Sequence, residues 1–188
     1  MNAVVDLKGV VLETGRLILR EWNENDLNDL FEYASVDGVG QMAGWMPHKS
    51  LDDARFVLKM FIDEKKTFAL ELKENEKVIG SIGLEKLSTN VNEYYDNLTG
   101  REIGYVLNKD YWGKGLMPEA VKAVIGYCFD SLGCDYLLCS CSSENIQSAR
   151  VMEKAGFRFV FEKERRLSDG SQRIARYHIL DKTDCTKM

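Results

Sequence analysis

The sequence predicts a mixed α/β domain: one mixed, mostly antiparallel sheet flanked by helices. Three observations predict it. Stretches of period-two alternation, such as Gly15–Trp22 (GRLILREW), share the chain with stretches of helical period, such as Ser50–Lys65 (SLDDARFVLKMFIDEK). The order of those stretches is a meander, then a strand–helix–strand crossover, then a closing hairpin. At 188 residues, 45% hydrophobic and 29% charged, the chain is long enough for one substantial core and short for two. A single domain over 1–188, with its core at about 12–180, is expected.

Gly15–Trp22 opens the order as a strand. In Asn23–Ser35 (NENDLNDLFEYAS), Asn25 or Asp26 is expected to cap a short helix whose apolar side is Leu27, Leu30, Phe31 and Ala34. Ser50 is the expected N-cap of the next helix, with acidic residues in its first turn and Ala54, Val57, Leu58, Phe61 and Ile62 in one stripe. Thr67–Leu87 (TFALELKENEKVIGSIGLEKL) is a hairpin about Glu74-Asn75-Glu76. Ser88–Gly100, polar and rich in asparagine, is a loop, and Arg101–Leu107 (REIGYVL) is a strand.

Met117–Gly133 then carries Val121, Val124, Ile125, Cys128, Phe129 and Leu132 on one helical face. Asp135–Ser142 is a strand, Asn145–Gly156 a helix closed by glycine, and 157–167 and 172–180 are strands about a turn at Ser168–Ser171. The predicted order is β-α-α-β-β-β-α-β-α-β-β.

Composition narrows the function. The apolar runs fall well short of the roughly 18 residues a membrane span needs. The first residues lack the basic start of a signal peptide, so a cytoplasmic protein is expected. A net charge of −5 argues against a broad nucleic-acid surface. The five cysteines have no paired spacing and no neighbouring histidine, so reduced, mostly buried thiols are expected, with no metal site. Monomer and homodimer both remain open.

The most informative stretch is Asn108–Ala120 (NKDYWGKGLMPEA), where a strand ends and a helix begins. Pro118 suits a first helical turn, and Glu119 suits the positive end of the helix dipole. Gly113 and Gly115 let the backbone approach a ligand and point several N–H groups the same way, which beside a helix start makes an anion site. The dinucleotide fingerprint would need a glycine where Pro118 stands, and the P-loop would need Ser or Thr after its lysine. Neither fits.

With the second stretch, Ser143–Phe159 (SENIQSARVMEKAGFRF), the chain resembles the GNAT superfamily of acetyl-coenzyme A-dependent N-acetyltransferases, and within it the RimJ/RimL-type branch that acetylates ribosomal-protein N-termini. The resemblance runs from about Leu12 to Leu180. It rests on two motifs about 30 residues apart in the family's order.

The superfamily's pyrophosphate loop, Gln/Arg-x-x-Gly-x-Gly/Ala, corresponds here to Trp112, Gly113, Lys114, Gly115, Leu116 and Met117. Met117 stands where a small residue is usual. The resemblance further implies that Val106 and Leu107 pair through their backbone with the pantetheine arm and that Asn145 holds the same arm. Where many members place a tyrosine acid, this chain has Met152. A hydroxyl appears instead one turn earlier at Ser148, which the branch uses to protonate or stabilise the leaving thiolate. Glu102 is the expected base, directly or through water, with Glu85 and His48 as alternatives. Trp45, His48 and Glu85 are assigned to the acceptor side, while His178 is expected to be structural.

The resemblance therefore implies an enzyme that moves an acetyl group from acetyl-CoA to a primary amine by direct transfer in a ternary complex. A protein N-terminus is the expected acceptor. A polyamine, aminoglycoside or other small amine is the alternative acceptor, and a non-catalytic acyl-CoA-sensing module is the alternative class.

Overall fold

A computed structural model describes residues 1–166, 170 and 172–185. Its elements are β1 (Leu12–Glu13), β2 (Leu17–Arg20), α1 (Leu27–Ala34), α2 (Val39–Ala43), α3 (Leu51–Glu64), β3 (Thr67–Leu72), β4 (Lys77–Glu85), β5 (Gly100–Leu107), α4 (Leu116–Asp130), β6 (Tyr136–Ser142), α5 (Ile146–Lys154), β7 (Arg158–Arg166), β8 (Gln172–Asp181) and α6 (Lys182–Cys185). The eight strands form one sheet in the order β1-β2-β3-β4-β5-β6-β8-β7. The predicted mixed fold is the one observed. β5 and β6 run parallel, while β1–β2, β2–β3, β3–β4, β6–β8 and β7–β8 are antiparallel. Apart from Gly170, the turn expected at Ser168–Ser171 lies outside the described residues, as does Leu167.

The chain divides into two compact units, an amino-terminal one of residues 6–83 and 105–123 and a carboxy-terminal one of residues 1–5, 84–104 and 124 onward. In the amino-terminal unit, Trp22, Leu30, Tyr33, Ala34, Val39, Ala54, Leu58, Ala69 and Val78 form a core. Helix α1 is entered through a 3-10 turn over Glu24–Asp26. Asp26, one of the two expected caps, stands at the N-cap position of α1 without a side-chain cap bond, and the turn before it is capped by Asn23: the Asn23 side chain accepts the Asn25 N–H, and the Asp26 carboxylate accepts the Asn23 N–H at 2.8 Å. Asp26 also takes both terminal nitrogens of Arg20 at 2.9 Å, and Glu71 takes the Arg20 Nε at 2.6 Å. These contacts set where the sheet hands over to the helix, and β2 ends at Arg20, short of the expected Trp22.

Ser50 caps α3 as expected, its hydroxyl accepting the Asp53 N–H at 3.2 Å. The one-turn helix α2, flanked by Gly38 and Gly44 at φ of +87° and +90°, is too short to show a periodicity. In β4 the register skips Ile79, so this strand bulges there, and the Ile79 carbonyl accepts the Asn108 N–H at 2.7 Å.

In the carboxy-terminal unit, β6 pairs with β8 along its whole length and β8 with β7. Tyr95, Tyr136 and Ile179 form one apolar cluster, and Leu138, Ala175 and Tyr177 another. The buried Arg101 guanidinium donates to the Ala3 and Leu84 carbonyls. Cys128, Cys134, Cys139 and Cys141 are buried thiols, and Cys185 is half-buried.

Candidate active site

In the amino-terminal unit, the end of β5 and the start of α4 hold the glycine-rich loop. Asn108 organises its entrance: its side chain accepts the Asp110 N–H at 3.1 Å and donates to Glu32 at 3.2 Å, while Glu32 also takes the Lys77 ammonium at 2.7 Å. The Glu32 carboxylate beside it holds the Lys77 ammonium above its ordinary pKa. Trp112 turns inward. Its indole N–H donates to the Leu107 carbonyl at 2.8 Å, and its ring packs on the core cluster, tying the loop back to the strand it leaves.

Gly113 and Gly115 both sit at φ +76°, the left-handed region that glycine enters without steric cost. At Gly113 a side chain would meet nothing within 4 Å, so glycine is required there by conformation and not by space. Leu116 and Met117 are buried, so the Met117 side chain is directed into the protein. The first N–H groups of α4 have no partner within the helix. A loop of this shape suits a pyrophosphate.

The loop has a support that its own residues do not announce. The Arg16 guanidinium donates to the Lys114 carbonyl at 2.9 Å through Nη1, and through Nε and Nη2 to Glu119 Oε2 at 2.8 and 2.7 Å. The other oxygen of Glu119 receives the Thr14 hydroxyl at 2.6 Å and the Arg16 N–H at 2.9 Å. Burial pushes the Glu119 carboxyl up, but the Thr14 and Arg16 hydrogen bonds outweigh it and hold the group below the usual carboxylate range.

Trp45 and His48 lie in the segment between α2 and α3, with their rings 5.3 Å apart. The Trp45 ring packs on the core cluster, and a Cβ at Gly40 would collide with it at 2.4 Å. The backbone N–H of His48 donates to the Ala34 carbonyl at 2.9 Å, and its Nδ1 is buried without a partner. Burial lowers the His48 pKa, with Asp53 opposing, so the imidazole is held neutral.

In the carboxy-terminal unit, Glu102 on β5 is buried, at 7% exposure, and is not a solvated strand carboxylate. Its oxygens accept the Ser140 hydroxyl at 2.8 Å and the Ser88 N–H at 3.0 Å. Ser88 Oγ lies 3.5 Å from the Tyr177 hydroxyl. Glu85, at the end of β4, is half-buried. Asn145 is the N-cap of α5, and its side chain accepts the Ser148 N–H at 3.0 Å. The Ser148 hydroxyl hydrogen-bonds the Cys141 thiol, whose pKa burial raises while this bond lowers it. Met152 is fully buried.

Sequence reasoning had not singled out Arg16, Ser88, Ser140 or Asn108 for the site. Arg16 and Ser140 sit inside strand-like alternation, where nothing local signals a partner 103 or 38 residues away.

Residues 16–158 match the family described as the acetyltransferase (GNAT) domain. The chain is 32% identical to the uncharacterized N-acetyltransferase YnaD of Bacillus subtilis over 147 residues, which is 78% of this chain and 82% of that protein. Its fold is similar to that of a GNAT-family acetyltransferase from Bacillus anthracis, with a TM-score of 0.78 at 24% identity over 92% of this chain and 98% of the other. It is also similar to that of the ribosomal-protein-S5-alanine acetyltransferase of Vibrio fischeri, with a TM-score of 0.68 at 19% identity over 92% and 96%. The chain belongs to the GNAT acetyltransferase family and is an N-acetyltransferase. Among the described residues there is no cluster of metal-ligating side chains, and no helix is long and apolar enough to cross a membrane.

Proposed function

We propose that this protein is a RimJ/RimL-type enzyme that works as one N-acetyltransferase domain, moving the acetyl group of acetyl-CoA to the N-terminal amine of a protein by direct transfer in a ternary complex. The observation that carries the coenzyme assignment is the loop of Gly113 and Gly115, both at φ +76°, leading into α4. Its N–H groups, with those of Lys114, Leu116 and Met117, bind the pyrophosphate, and Trp112 braces the loop from inside. The backbone of Val106 and Leu107 and the side chain of Asn145 hold the pantetheine arm.

Glu102 takes the proton of the acceptor ammonium, directly or through a water, so that the neutral amine can attack the thioester carbonyl. The C–N bond forms, the C–S bond breaks, and Ser148 supplies a proton to the departing thiolate. Trp45, His48 and Glu85 line the acceptor side. The branch assignment rests on the Tyr111-Trp112-Gly113-Lys114-Gly115 run and on a serine at 148 in place of the tyrosine acid at 152. The similar fold of the Vibrio fischeri ribosomal-protein-S5-alanine acetyltransferase is consistent with this reading.

The test is an acceptor screen with detection of the free thiol, covering peptides of varied N-termini, polyamines and aminoglycosides. Turnover confined to peptides supports the proposal, turnover confined to small amines replaces the acceptor, and acetyl-CoA binding without turnover on any amine makes the chain a sensor.

A further inference from the structure

We infer that Arg16 is the positioning residue of the coenzyme loop, and that it works by fixing the direction of one peptide unit. The inference rests on the coenzyme assignment above. The Lys114 carbonyl is held by Arg16 Nη1 at 2.9 Å. No peptide bond in the described chain is cis, and across a trans peptide the C=O and the following N–H point in opposite directions. With the Lys114 carbonyl turned to the guanidinium, the Gly115 N–H is turned away from it, toward the side left for the pyrophosphate. Without that anchor, the peptide between Lys114 and Gly115, with a glycine on its following side, is free to flip and present a carbonyl to the phosphate.

The guanidinium is itself immobilised, because Glu119, in the first turn of α4, takes Nε and Nη2 while Thr14 and the Arg16 N–H occupy its other oxygen. The same carboxylate neutralises the arginine, so what Arg16 supplies is geometry rather than attraction for the anion. Lysine would keep the charge but cannot span Glu119 and the Lys114 carbonyl with one planar fork.

The experiment is calorimetric titration of the full chain with coenzyme A and, separately, with 3′-dephospho-coenzyme A, for the native protein, Arg16→Lys, Arg16→Gln, Glu119→Gln and the Arg16→Gln/Glu119→Gln double variant. Loss of preorganisation should raise Kd about tenfold in Arg16→Lys as well as in Arg16→Gln, equally for both ligands. Because the pair acts as one unit, the double variant should lose no more than Arg16→Gln alone. With an acceptor from the screen, KM for acetyl-CoA should rise while kcat stays within about twofold. If Arg16→Gln does not fold, Arg16→Lys and Glu119→Gln carry the comparison.

An unchanged Kd in a folded Arg16→Lys overturns the inference and leaves the coenzyme assignment standing. A loss seen with coenzyme A but absent with the dephospho form also overturns it, because Arg16 is then a direct contact of the 3′-phosphate. Failure of the native protein to bind coenzyme A overturns the coenzyme assignment itself.

Discussion

The hydroxyl of Ser140 donates a 2.8 Å hydrogen bond to the carboxylate of Glu102, 38 residues away in sequence but on the neighbouring strand of the β5–β6 pair. With Ser88 on the other oxygen, both faces of a buried acid are supplied with donors. Removing one partner of a buried charged group exposes its desolvation cost. Ser140→Ala should therefore destabilise the protein by about 1–3 kcal/mol, read from the shift of a urea midpoint. Glu102→Gln should act on turnover, lowering kcat near neutral pH by about 10²-fold or more and weakening its rise with pH. An unchanged rate and pH profile in a folded Glu102→Gln would remove it as the base and pass the question to Glu85 or His48.

Ser148→Ala separates an acid from a structural serine. The α5 cap uses the Ser148 N–H and the Asn145 side chain, so it survives loss of the hydroxyl, and alanine favours the helix. If Ser148 protonates the leaving thiolate, kcat should fall about 10²-fold or more while acetyl-CoA affinity stays within a few-fold. Collapse of affinity with intact kcat would make the serine a coenzyme-binding group.

How much of this was legible in the chain follows from the range of each interaction. The glycine loop and its helix were legible because Gly113, Gly115, Pro118 and Glu119 act within a few residues of one another. So was the cap at Ser50. Asp26 was legible as the N-cap position of α1, but the 3-10 turn that Asn23 caps was not, because Asn23, Asn25 and Asp26 are all competent acceptors and only the Asp26 carboxylate's hold on the Asn23 N–H marks where the turn begins. Helix α2 is a single turn that exists between two left-handed glycines. Ser140–Glu102 and Arg16–Glu119 were invisible because neither strand alternation nor helix period records which side chains a fold brings together from 38 or 103 residues apart.

Coenzyme A should raise the thermal midpoint by mass action, by about 2.7 kcal/mol of stability at a hundredfold excess over Kd. Gly115→Glu should abolish that shift. It places a side chain at φ +76° and a negative charge where the pyrophosphate is proposed to lie. A full shift in the folded variant, measured by thermal denaturation with and without ligand, would refute the loop assignment.

Stability should fall as pH drops from 7 to 5.5. Burial lowers the pKa of His178, which also lies beside the Arg176 charge, and burial lowers that of His48. The unfolded chain then binds protons near pH 6.5 that the folded one refuses, so stability is complete above the unfolded pKa and is lost as pH falls toward the folded values. His178→Gln should make the urea midpoint less dependent on pH across this window, whatever it does to the absolute stability. His48 should account for the remaining slope. An unaltered slope would show that His178 takes its proton as readily folded as unfolded.

Two glycines that look alike in sequence should respond oppositely to alanine. Gly80 follows the bulge at Ile79 in β4, and a Cβ built there lies 2.3 Å from the Val106 carbonyl oxygen and 3.1 Å from the Leu107 Cα. Both obstacles are backbone, so the strand end that leads into the glycine-rich loop has to move. Gly80→Ala should destabilise by about 1–3 kcal/mol, the range for overpacking, and should weaken coenzyme A binding as well. Gly126 lies inside α4, where a Cβ meets nothing within 4 Å and the backbone does not need positive φ. There the alanine only removes conformational freedom from the unfolded chain and should stabilise by about 0.4–1 kcal/mol, with coenzyme binding unchanged. Urea midpoints and a coenzyme A titration on both variants decide the matter. If Gly80→Ala binds as tightly as the native protein, the close approach of β4 to Val106 does not set the position of the loop.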